Sequence, residues 1–209
     1  QTDELSIPAR TLVPLLRGLH SDKGDVQAVL EKLLSWDYVL GHNSVAAGIY
    51  AAWQQELWEN FRNQRVPASA QQYFPKIAPQ RLLASLTTPD TSYGPDPQAG
   101  RDRFLLNSLT RVVQQLTERF GTDISKWVYG QDRYHHITLR HPLTEAVNPQ
   151  HRTQFDVGPL PRGGDGFTVN NTDNNAAQGI GASFRIITDL ADWDRSLGIN
   201  TPGQSGNPG

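Results

Sequence analysis

The chain has 209 residues, 19 Lys and Arg against 21 Asp and Glu, and a formal net charge of −2, which gives no electrostatic basis for a nucleic-acid partner. With 5 Trp, 6 Tyr and 7 Phe it is no disordered charged tail, and it is long enough for one large core or two small ones. Its lack of Cys excludes disulfides, thiolate metal sites and a Cys nucleophile here, and no run of about 18 apolar residues is present to span a membrane.

Residues 1–20 carry Pro8 and Pro14 around an apolar run. Ser21, Asp22 and Asp25 then read as a helix start. Val26, Val29, Leu30, Leu33 and Leu34 follow at helical spacing, toward an end near Trp36-Asp37. Asn43 reads as the cap of a second helix whose apolar face is Ala46, Ile49, Trp53 and Leu57. Six prolines between residues 66 and 100 predict a loop-rich stretch with at most one short helix, around Gln80–Leu86. Leu105, Leu109, Val112, Leu116 and Phe120 then form one stripe of a helix over Arg101–Phe120, stopped by Gly121. Asp123 or Ser125 is expected to open one more turn before Trp127.

After Gly130 the period changes. Tyr134–Arg140, Phe155–Val157, Phe167–Asn171 and Ala182–Asp189 read as strands separated by Gly, Pro and Asn. A helical block (1–130) followed by a strand-rich block (131–209) predicts an α+β fold.

The chemistry-bearing motifs are sparse. In an extended strand His135 and His141 would share one face, with His136 on the other. No carboxylate pair at ligand spacing accompanies them, and no metal site is expected. Arg162-Gly163-Gly164-Asp165-Gly166 is a Gly-rich turn; its N–H groups could cradle an anion, or it is a tight loop needing positive φ. Asn170–Asn175 is rich in oxygen side chains but lacks the spacing of a calcium loop. Gly203-Gln204-Ser205-Gly206 only grazes a nucleophile elbow, so a small independent hydrolase using Ser205 or Ser183 is disfavoured.

Several ordered segments resemble the penicillin acylase family of N-terminal-nucleophile hydrolases. They are Leu34–Asp37, Ala46–Trp53, Trp127–Gly130 with His141-Pro142-Leu143, Gly164–Asn170, and Gly181–Leu190 with Trp193-Asp194 and Pro202–Gly206. The resemblance implies a four-layer αββα sandwich and an amidohydrolase cut into α and β subunits. The new N-terminal Ser of β is the nucleophile, and its own α-amine is the base. An Asn side chain and a backbone N–H hold the oxyanion. This chain resembles a later part of β, without that Ser or that Asn, so no catalytic residue is expected in it.

Arg162 and Asp165 fall where the family places charged residues that organise the nucleophile's surroundings. The resemblance further implies no organic cofactor, with any calcium held by residues outside this chain. It implies the rest of β, the α subunit and a small acyl amide as partners, no nucleic acid and no membrane, and a periplasmic or secreted location. The start at Gln1 and the run Thr201–Gly209 fit a piece of a longer protein. The alternative is an excised or designed domain with a structural or binding role only.

Overall fold

The computed structural model describes residues 3–75, 77–182 and 184–200. These include five α-helices: α1 (Ile7–Leu12), α2 (Gly24–Leu34), α3 (Val45–Arg65), α4 (Pro79–Thr87) and α5 (Pro97–Phe120). Four short strands follow: β1 (His136–Leu139), β2 (Val157–Pro161), β3 (Phe184–Ile187) and β4 (Leu197–Asn200). β1 pairs antiparallel with β2, with His136 opposite Pro161, and β3 pairs antiparallel with β4, with Ile187 opposite Leu197. The mixture of helices and antiparallel strands agrees with an α+β class.

The chain divides into two compact units. One is helical and comprises Ser6–Val39 and Asn43–Tyr129; the described residues of Gln1–Leu5, Leu40–His42 and Gly130–Gly209 make the other.

In the helical unit α3 packs on α5, and α2 packs on both. Trp53, Leu57, Leu105, Leu109, Val112 and Leu116 are buried, as the i, i+4, i+7 stripe of α5 requires. Trp53 also donates its indole N–H to the carbonyl of Leu105 at 3.4 Å. Gly48 is needed where α3 meets the segment before Gly130: a Cβ there would lie 2.1 Å from the Trp127 carbonyl oxygen.

Several expectations are corrected. The stretch with Pro8 and Pro14, to which the sequence reading assigns no element, is helical: Ser6 accepts from the Ala9 N–H, and each proline occupies the first turn of a helical segment, where its missing N–H costs nothing. α2 begins at Gly24, because Ser21 turns its hydroxyl to Lys23 N instead of capping. Ser44, not Asn43, caps α3 through Ala47 N at 3.1 Å. In the proline-rich 66–100 stretch α4 is the short helix expected around Gln80–Leu86, joined by 3-10 turns at Ala68–Tyr73 and Thr91–Tyr93 and by the first turn of α5. Pro79 and Pro97 start helices there rather than break them, Pro97 with Asp96 as cap. The expected turn after Gly121 is present, capped by Asp123.

In the other unit β2 begins at Val157, where Phe155–Val157 was expected, and β4 was not anticipated. Phe167–Asn171 is no strand. The Thr168 hydroxyl accepts from Asp165 N and lies within hydrogen-bonding distance of the Asp165 and Asn170 carbonyls, which winds the backbone into turns. β3 lies inside the expected Ala182–Asp189 strand. Phe184 and Ile186 are 60% and 61% exposed.

Candidate functional site

The strand-rich unit buries a group of polar side chains close together in sequence and space: His135, Arg162, Asp165, Thr168 and Thr172 are all at most 8% exposed. Antiparallel pairing of β1 with β2 ends at Pro161 and delivers Arg162 next to His135. From there the guanidinium organises the following loop. Nη1 donates to the Gly164 carbonyl at 3.1 Å and to Thr172 Oγ1 at 2.7 Å. Nη2 reaches His135 Nδ1 and the Asp173 carbonyl, both at 3.0 Å, and the Asn175 carbonyl. Its ionic partner is the Asp173 carboxylate, at 3.7 Å.

Three residues on, Asp165 is buried at the head of a turn. Its Oδ1 accepts from Phe167 N at 2.7 Å. Burial pushes the Asp165 carboxyl up to about 6 from 3.8; the Phe167 N–H and the positive charge of Arg162 pull the other way and lose. Arg162 and Asp165 each shape the same loop, and the guanidinium's charge favours the ionised carboxylate without outweighing its burial.

The glycines of the turn have separate reasons. Gly164 has φ +70°, a left-handed conformation that favours glycine. Gly163 has no such φ, but a Cβ on it would strike the Glu4 carboxylate at 2.1 Å. Glu4 in turn accepts from Asn170 Nδ2 at 3.0 Å. The N–H groups that could have cradled an anion are committed: Gly164 to the Leu40 carbonyl, Asp165 to Thr168, Gly166 to Asn174 Oδ1 and Phe167 to Asp165. The anion-cradle reading is thereby set aside in favour of the tight loop.

The oxygen-rich segment beyond it is a knot rather than a cation cage. Partial burial raises the pKa of Asp173, but N–H donors from Gly179, Asn175 and Ile180 outweigh it and hold the group below its ordinary value. A carboxylate ringed by donors does not fit a calcium ligand. Among the described residues no group of three His, Asp or Glu side chains is placed to hold a metal ion.

The remaining candidates are scattered. His135 precedes β1 and is buried against Arg162, while His141 lies beyond its end and accepts from Leu143 N at 3.1 Å, so the shared strand face does not form. His136 is in β1, with a buried Nδ1 that has no partner among the described residues. Ser183 and Ser205 lie outside the described residues. Sequence reasoning missed Glu4, His135, Thr168 and Thr172 as partners of the turn. The geometry supplies an internally bonded loop that carries one buried carboxyl and one buried guanidinium; among the described residues it brings no nucleophile together with a base.

A family profile described as penicillin amidase matches residues 1–209. The chain is 24% identical over 238 residues to an acyl-homoserine lactone acylase QuiP of Pseudomonas syringae, covering 100% of the chain and 26% of that protein. It is 26% identical over 207 residues to the protein of that name from Pseudomonas fluorescens, covering 90% of the chain and 24% of the relative. The chain thus spans about a quarter of the length of the curated relatives it matches.

Proposed function

The chain belongs to the penicillin amidase family, and from that premise we propose that it is a later β-subunit section of an amidohydrolase. The complete enzyme would cleave an acyl amide of the penicillin or acyl-homoserine lactone type. Its nucleophile would be an N-terminal Ser outside this chain, with the α-amine of that Ser as base. The observation that carries the reading is the profile match along the whole chain, together with the names of the two relatives.

Within that reading Arg162 and Asp165 are positioning residues. The guanidinium ties residues 164, 172, 173 and 175 together, and the loop so held presents Asp165 in a fixed setting near the nucleophile. Exposed apolar side chains on β3 and β4 support an αββα sandwich completed by other parts of the same precursor. The α subunit and the rest of β are the partners in this reading, any calcium is held outside this chain, and the location is periplasmic or secreted.

The test compares the 209-residue chain with the complete precursor on chromogenic phenylacetyl and fatty-acyl amides. The precursor is expected to mature and turn over, and the chain alone to be inactive. Turnover by the pure chain that is abolished by Ser205→Ala would overturn the proposal.

A further inference from the structure

A groove of about 720 Å³ opens in the helical unit, walled by the last turn of α3, the Ala68–Tyr73 turn and α4. Phe61, Val66, Ala70, Phe74 and Ile77 line it with carbon, and Phe74 is 56% exposed. Its charged lining is mainly cationic: Arg65 and Arg81 against Asp90.

Arg81 and Ser85 stand four residues apart on α4, so they share one face. Ser85 Oγ accepts from Arg65 Nη2 at 3.3 Å, and Arg81 lines the same groove. The Arg65 guanidinium is fixed there, its Cζ 5.2 Å from the Phe61 ring centroid and 5.3 Å from that of Tyr93. Asp90 pairs with Arg65 and offsets only one of the two guanidinium charges. It stands 3.9 Å from Arg65, and its Oδ1 already accepts from the N–H and the hydroxyl of Ser92. Arg81 is exposed; its backbone N–H donates to the Ala78 carbonyl, and its guanidinium has no hydrogen bond or ion pair among the described residues.

We propose that this groove binds a small monocarboxylate with an apolar tail. The carboxylate takes the open donors of Arg65 and Arg81, whose planar forks match its two oxygens. The tail lies on the carbon wall. The volume falls within the roughly 300–1,000 Å³ of small-molecule sites. Among the described lining residues positive charge is confined to one cluster, which suits a ligand charged at one end rather than an acidic peptide charged along its length.

Calorimetric titration of the chain with sodium octanoate tests this, beside octyltrimethylammonium, 1-octanol and a hexaglutamate peptide. Saturable one-to-one octanoate binding is expected, weakened by added NaCl and by about tenfold or more in Arg81→Gln. Ala70→Trp, which fills the carbon wall and leaves the charges in place, is expected to abolish it. Arg65→Gln should add to the Arg81→Gln loss; if its circular dichroism shows a lost fold, the exposed Arg81 variant decides alone. Octanol or the cationic amphiphile binding as tightly as octanoate, tighter binding of the peptide, or no saturable octanoate binding would each overturn the proposal.

Discussion

Arg162 Nη2 donates to His135 Nδ1 across 3.0 Å, so the imidazole accepts on that nitrogen and carries its hydrogen on Nε2. The pair is buried, and the same guanidinium holds backbone carbonyls of residues 164, 173 and 175. Lysine keeps the charge but has neither the fork nor the reach to serve these acceptors together. Arg162→Lys is expected to destabilise the chain by roughly 2–4 kcal/mol in urea melts. A loss below about 0.5 kcal/mol would show that the loop holds its shape without the guanidinium.

Asp165 makes stability depend on pH in a specified direction. Its carboxyl is raised by burial from 3.8 to about 6, so between those values the folded chain keeps a proton that the unfolded chain releases. Its contribution is therefore favourable at low pH and is lost as pH rises through about 6. Asp165→Asn keeps an oxygen for the Phe167 N–H and removes the charge. The variant should gain on the parent as pH rises from 4 to 8, by at most on the order of 3 kcal/mol. A gap that does not move with pH would show the carboxyl ionised throughout. In the complete enzyme of our proposal, the same substitution should shift the acidic limb of the kcat/KM profile to lower pH, since a nearby carboxylate raises the pKa of an α-amine. A limb that stays put would leave Asp165 a turn-shaping role.

Two glycines should answer oppositely to alanine. Gly48→Ala drives a methyl into the Trp127 backbone, and the expected cost of about 2–3 kcal/mol exceeds the roughly 1 kcal/mol gained from helix propensity. Gly24, at the start of α2, has open space around its Cβ position. Gly24→Ala should stabilise by about 0.4–1 kcal/mol through the unfolded chain. Thermal melts of the two variants check the sign of each.

Leu109 is fully buried on the α5 stripe. Leu109→Ala should cost about 2–5 kcal/mol by denaturant titration. A value under about 0.5 kcal/mol would mean that the stripe does not face the core.

What could be read in the sequence was local. The α5 stripe and its Gly121 stop repeat within a few turns, and the tight loop at Gly163–Gly166 announces itself by composition. The sequence points to Asn43 as the cap of α3 where Ser44 holds the role, since two adjacent oxygen-bearing side chains both suit it. Prolines in 66–100 looked like interruptions, yet a proline in a first helical turn costs nothing. The site's partners were illegible. Arg162 meets a histidine 27 positions away, and Asn170 meets a glutamate 166 positions away; no local spacing encodes either contact. The false strand at Phe167–Asn171 came from its apolar pattern, which the Thr168 hydroxyl overrides by bonding to the backbone around it.

Glu4 and Asn170 also set an order of events on the ribosome. The Asn170 amide donates to the Glu4 carboxylate, and Asn170 N donates to the Asp3 carbonyl, across almost the entire length between them. At roughly 5–20 residues per second, Asp3 and Glu4 wait about 8–33 seconds for these partners to be synthesised. The helical segments from Ser6 to Tyr129 are all made in that interval. They can pack on one another while the Asp3 carbonyl and the Glu4 carboxylate still lack Asn170, and the Glu4 carbonyl already has Leu40 N, so the strand-rich unit completes these contacts last.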